Sequence, residues 1–158
     1  MNPRSVVFVD TTILLNLLDV PNMNGERAAV LADYNKRKAG GGLILPITTV
    51  IETGNHISHL PNGSARRACA ERFVGLLELV IAGKSPFVLH ETAWGGGFFD
   101  KLVRGGTTGT TLVDHLTQGQ LGCGDVAILV ERDHYLARVA TGVTATVWTL
   151  DRGLASHS

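Results

Sequence analysis

Apolar residues fall into two patterns along the chain. Short runs are bounded by glycine, proline or a carboxylate, and longer stretches repeat an apolar residue every third or fourth position. The first pattern is expected of strands buried on both faces, the second of helices with one packed face. Val6 to Val9 is the first short run, and it ends on Asp10. Ile13 to Leu18 continues with helical character and stops before Pro21. Asn22 or Asn24 opens the next helix, where Met23, Val30, Leu31 and Tyr34 share a face. That helix closes on Lys36, Arg37 and Lys38 before Gly40 to Gly42, placing cations at the negative dipole end and glycine at the cap.

Leu43 to Ile47 reads as the second strand, and Thr48 or Thr49 opens a helix to about Leu60. Thr49 and Glu52 have the spacing of a capping box. A helix from Ser64 to about Ala82 carries the stripe Cys69, Phe73, Leu76, Leu77 and Val80, which leaves Arg66, Arg67 and Arg72 in solvent. Phe87 to Leu89 is a short third strand. A helical stretch follows from Glu91, although Gly95 to Gly97 would each cost about 1 kcal/mol in a helix interior. Gly105 to Thr111 reads as a mobile connector, because it lacks the Lys-Ser/Thr ending of a phosphate-binding loop. One or two helical turns cover Leu112 to Leu116. A strong helix runs from Asp125 to Ala140 on Leu129, Leu136, Val139 and Ala140, helped by Val126 and Val130. Thr144 to Leu150 is the last strand, closed by Asp151. Strands alternating with helices predict an α/β fold whose central sheet is mostly parallel and covered on both faces.

Composition narrows this picture only slightly. The 158 residues suffice for one domain, 1–158, with a real core. A formal net charge of zero gives no global argument for a nucleic-acid partner. Cys69 and Cys123 are far apart and in no metal-binding pattern, as expected of a cytoplasmic protein. The N-terminal apolar run is cut short by Asp10 and suits neither a signal peptide nor a membrane span.

The carboxylates change the picture more. Asp10 and Asp151 end strands, while Glu52 and Asp125 lie in first turns of helices. In a parallel sheet all four belong to one rim, where open α/β folds bind ligands. Singly, each has an innocent explanation: Asp10 can cap a helix, Glu52 fits a capping box, Asp125 meets a helix dipole, and Asp151 closes a strand. Together, buried like charges raise one another's pKa unless a cation intervenes, and an all-oxygen set suits Mg²⁺ or Mn²⁺. His56 and His59 form a bare helical pair without zinc partners.

Asp10-Thr11 after a strand, Thr49-x-x-Glu52 after a second, Gly124-Asp125-Val-Ala-Ile-Leu, and Val147-Trp-Thr149-Leu-Asp151-Arg resemble, in order and spacing, the four acidic motifs of PIN-domain nucleases. In size the chain is similar to the VapC-like ribonuclease toxins of toxin–antitoxin modules. The resemblance implies a compact three-layer α/β/α, Rossmann-like fold and Mg²⁺- or Mn²⁺-dependent cleavage of RNA. It also implies a homodimer and a small antitoxin seated in the active-site groove. The aromatic residue that usually follows the last motif is absent from Asp151-Arg-Gly-Leu154, and the segment from Gly95 to Gly122 is long and glycine-rich.

On this reading Asp10, Glu52, Asp125 and Asp151 hold the metal, with Asp10 and Asp125 the favoured direct ligands. Glu52 and Asp151 orient water or hold a second ion. Thr11 and Thr149 are neighbours able to bond a carboxylate or phosphate, and Asn16 either supports the site or faces solvent. Setting the four acids aside leaves ten anions against fourteen cations. Arg132 and Arg152 would then meet RNA phosphates or form salt bridges. The alternatives are an RNA-processing nuclease outside toxin–antitoxin systems and a catalytically silent binding module of the same fold.

Overall fold

The computed structural model describes residues 4–158. Four strands form one all-parallel sheet in the order β3-β2-β1-β4: β1 (Ser5–Val9), β2 (Leu43–Ile44), β3 (Phe87–Val88) and β4 (Thr144–Trp148). β1 is central and pairs along its whole length with β4, from Ser5 opposite Thr144 to Val9 opposite Trp148. Its side chains alternate between two cores. Val7 and Val9 face one side, with Leu43, Leu45 and Trp148. Val6 and Phe8 face the other, with Ile44 and Val147.

The crossovers decide what covers each face. α1 (Thr11–Leu17), α2 (Arg27–Gly40), α3 (Ile47–Ser58) and α4 (Gly63–Ile81) contribute Ile13, Leu14, Val30, Ile57, Cys69 and Val80 to the first core. α5 (Gly96–Val103), α7 (Cys123–Arg138) and α8 (Arg152–Ala155) contribute Phe98, Val126 to Val130 and Leu154 to the second. α6 (Leu112–Gln118) leads into α7. Val126 to Val130 of α7 are apolar all round and correspondingly buried. The chain therefore runs β1 to β3 in one direction and returns to place β4 beside β1. The point where strand order reverses lies between β1 and β4, where such sheets open a crevice.

Several expected boundaries move. α2 begins at Arg27, not at Asn22 or Asn24, because Asn16 and Arg27 fasten the intervening loop: the Glu26 N–H donates to Asn16 Oδ1 at 3.0 Å, and Arg27 Nη1 donates to the carbonyls of Asn16 and Leu17. The β2 ladder ends at Ile44, and Pro46 caps α3 in extended backbone. β4 ends at Trp148, two residues short of Leu150. The helix expected from Glu91 begins only at Gly96, which keeps the glycines at the helix start and out of its interior.

The connector from Gly105 to Thr111 is a compact turn. Thr108 Oγ1 donates to the Gly105 carbonyl, Thr107 Oγ1 donates to Asp133 on α7, and a Cβ on Gly105 would collide with the Thr110 carbonyl. Arg66 and Arg72 are not simply solvated. Arg66 donates to the Leu60 carbonyl, and Arg72 donates to those of Leu18 and Asp19. The stripe predicted for α4 packs as expected against the first core. Among the described residues no helix is long and apolar enough to cross a membrane.

Candidate functional site

Asp10, Glu52, Asp125 and Asp151, drawn from four separate parts of the chain, line one cavity of about 920 Å³ at the sheet rim. Asp10 follows β1, and its N–H donates to the Trp148 carbonyl at 3.0 Å, extending the β1–β4 ladder by one residue. It stands at the N-cap of α1, yet its carboxylate makes no backbone cap. Oδ2 instead accepts from Thr149 Oγ1 at 2.7 Å and from Thr12 Oγ1 at 2.9 Å. Those hydroxyls accept in turn from the N–H groups of Asp151 and Leu150. Each threonine thus spends its proton on Asp10 and its lone pair on the segment after β4. The carboxylate is only 2% exposed, and these donors are what make its burial tolerable.

The capping box expected from Thr49 and Glu52 does not form. α3 starts at Ile47, so Thr49 lies inside its first turn, and both side chains face the β1–α1 junction. Thr49 Oγ1 donates to the Val9 carbonyl at 2.7 Å, and Glu52 Oε2 accepts from Thr11 Oγ1 at 2.8 Å. Among the described residues nothing donates to Asp10 Oδ1 or Glu52 Oε1.

Asp125 sits in the first turn of α7, where its Oδ2 accepts from the Gly122 N–H at 2.9 Å. Burial pushes its pKa from an ordinary 3.8 up to about 6, the charges of Asp10, Asp151 and Glu52 add to the rise, and the Gly122 N–H opposes it. Asp151 is exposed and caps the short helix α8, with Oδ1 accepting from the Leu154 N–H at 2.9 Å. So the first-turn role expected of Asp125 is real, Asp151 caps a short helix that the sequence did not announce, and both residues line the shared cavity as well.

For two neighbours the sequence left alternatives open, and the structure selects one for each. Asn16 does not face solvent: it is buried, donating to the Thr12 carbonyl and accepting from Glu26, which fixes the cavity's wall. Arg132 is not free for a phosphate. It is buried, bonded to Asp133 and to the His157 carbonyl at 2.8 Å. Arg152 is exposed but does not line the cavity, and among the described residues neither does any other arginine or lysine. Asn55, His56 and His59 do line it. Their spacing from Glu52 along one helix face was the signal available in the sequence.

The donor set fits a hard divalent cation: four carboxylates, each with an oxygen that no group among the described residues engages, and hydroxyls around them. Among the described residues no three His, Cys, Asp or Glu side chains are already drawn together tightly enough to hold an ion. No known protein family, curated protein or solved structure matches the chain.

Proposed function

We propose that the protein is a Mg²⁺- or Mn²⁺-dependent endoribonuclease that hydrolyses RNA phosphodiester bonds, acting as the toxin of a toxin–antitoxin pair. The observation that carries this reading is the convergence of Asp10, Glu52, Asp125 and Asp151 on one open cavity, with Asp125 held up at about 6 by burial and the other three charges. Structural carboxylates are normally distributed so that each finds a cation or a cap. Four left sharing one cleft without an arginine or lysine point to a role for their negative charge.

When bound, the ion supplies an activated water and neutralises charge on the leaving oxygen. Asp10 and Asp125 would hold it; Mg²⁺ keeps several of its own waters, so one or two direct carboxylates suffice. Thr12 and Thr149 fix the Asp10 carboxylate by one oxygen and leave the other toward the cleft. Thr11 orients Glu52 in the same way. Glu52 and Asp151 then position water at the cleft. Pairing of two copies and an antitoxin over the groove belong to the same proposal, as the family resemblance implies.

One observation favours the silent module of the same fold: every one of the four acids already has a hydroxyl or amide donor, which partly stabilises it without a cation. Incubating the purified chain with mixed RNAs, with and without Mg²⁺ or Mn²⁺, separates the two. Metal-dependent cut ends, abolished by Asp10→Asn, are expected, and intact RNA under all conditions leaves the module. Growth arrest on expression of the wild type but not of Asp10→Asn is the further expectation for a toxin.

A further inference from the structure

We propose that Asn55 and His56 of α3, with His59 at its C-cap, form a subsite for a nucleotide of single-stranded RNA beside the scissile phosphate, an assignment that rests on the ribonuclease reading. Counted from Glu52, these residues stand at i+3, i+4 and i+7, a spacing that Asn55 and His56 hold on its helix face and that His59 continues at the C-cap. All four also line the same cavity. At the α-helical rise, His59 lies about 10 Å along the axis from Glu52, far enough to meet a neighbouring nucleotide.

The rest of the lining cannot do this work. Its formally charged members are Asp10, Glu26, Glu52, Asp125 and Asp151, all of which repel an RNA strand. Asn16 has both ends of its amide committed, to the Thr12 carbonyl and the Glu26 N–H. The threonine hydroxyls are committed to Asp10 and Glu52. The α3 face holds the polar groups left over.

His59 is also oriented. Its Nδ1 lies 2.6 Å from the Asn55 carbonyl, which can only accept, so Nδ1 carries the proton and Nε2 of the neutral ring is an acceptor. A ring pinned in this way presents an acceptor suited to a ribose 2′-hydroxyl and a plane on which a base can stack. His56 and His59 are both exposed, so the planes are accessible. Recognition by stacking and by the 2′-hydroxyl makes this a site for the base and sugar rather than the phosphate. Its contribution is therefore insensitive to salt, unlike phosphate contacts.

The test uses the full chain and a His56→Ala/His59→Ala double variant, with a His59→Gln variant that keeps an acceptor. Anisotropy of labelled homopolymeric and mixed-sequence RNA oligonucleotides, and of matching DNA, is followed with Ca²⁺ present. Cleavage constants are measured with Mg²⁺. The double variant is expected to bind RNA about tenfold more weakly, the loss of a stacked base. It should lose less affinity for DNA and lose the same factor at low and high salt. KM should rise in parallel at constant kcat, with His59→Gln partly restored and the Mn²⁺-induced rise in Tm intact. Unchanged RNA affinity, an equal loss for DNA, or loss of the Mn²⁺ response overturns the subsite. A wild type that binds RNA through these residues but never cuts it upholds the subsite and removes the hydrolytic reading. A wild type that binds no RNA removes the subsite.

Discussion

The Glu52 carboxylate lies against the Cα of Gly124, so closely that a Cβ there would collide with it. α3 and α7 meet at this point, and the glycine is what lets one acid on α3 approach the acid on α7 that follows it in sequence. Glu52 is the flexible end of a long side chain, so it would yield before the backbone did. Gly124→Ala should therefore leave the metal-free fold within about 1 kcal/mol of wild type, since alanine also gains helix propensity. The displaced carboxylate would lose its bond from Thr11. On the proposed function, cleavage should fall at least about tenfold, the loss of one well-placed group of about 1.4 kcal/mol. Thermal denaturation with and without Mn²⁺, beside a cleavage assay, checks this; full activity in the alanine variant would mean that Glu52 does not need its present position.

Asp125 gives a pH dependence with a definite sign. Its pKa rises from 3.8 unfolded to about 6 folded, so between those values the folded state binds the extra proton. Stability contributed by that proton is full below about pH 4 and is lost as pH rises through 6. Asn at this position can still accept from the Gly122 N–H but carries no charge. Asp125→Asn should thus be more stable than wild type above pH 6 without divalent ions, by about 1 kcal/mol once solvent screening of a partly exposed group is allowed for. The gain should vanish near pH 4. Saturating Mn²⁺ should reverse the order, because binding to the folded wild type alone adds about 2.7 kcal/mol at a hundredfold excess over Kd. Chemical denaturation across pH, with EDTA and then with Mn²⁺, reads both effects.

Thr149 is the shorter of the two donors to Asp10, and its oxygen also takes the Asp151 N–H. Thr149→Val keeps the shape and removes both bonds. A hydrogen bond to a buried charge is worth about 1.5–3 kcal/mol, so the variant should be destabilised by about 2 kcal/mol at neutral pH. A urea midpoint equal to wild type at pH 7 would show that Thr12 alone satisfies the carboxylate.

Much of this arrangement was legible because strands leave a strong local trace. Val6 to Val9 is β-branched and aromatic, and a run of that length places Asp10 on a rim, which is the rim of Asp151 because β1 and β4 run parallel. Strand alternation with helices gave the parallel sheet, and with it the convergence of four acids. What escaped was what the same residue types do when tertiary contacts outbid local ones. Thr49 and Glu52 have capping spacing, yet β1 offers Thr49 a buried carbonyl and α1 offers Glu52 a hydroxyl. Gly95 to Gly97 sat inside a plausible helical window, but the chain begins the helix at Gly96. For Arg132 the sequence left a phosphate contact and a salt bridge open; the pair with Asp133 forms, but nothing in its neighbourhood shows that the His157 carbonyl also returns to it.

Glu131 is the remaining acid whose environment departs most from water, and it stands apart from the cavity. It is 1% exposed, and its Oε1 has no hydrogen-bond partner among the described residues. Burial alone pushes its pKa from 4.5 up to about 7. The folded state therefore holds a proton there that the unfolded chain has released, and stability falls as pH rises from about 4.5 through 7. Glu131→Gln removes the charge at nearly constant volume. Near pH 5, where the folded side chain is still protonated and the unfolded one partly ionised, it should exceed wild type by less than about 1 kcal/mol. By pH 8 it should exceed wild type by about 2–3 kcal/mol. Urea unfolding at the two pH values, in the Asp125→Asn background so that the other raised carboxylate does not contribute, isolates this change. A difference that stays flat between pH 5 and 8 would place a compensating partner on Glu131 and remove burial as the cause.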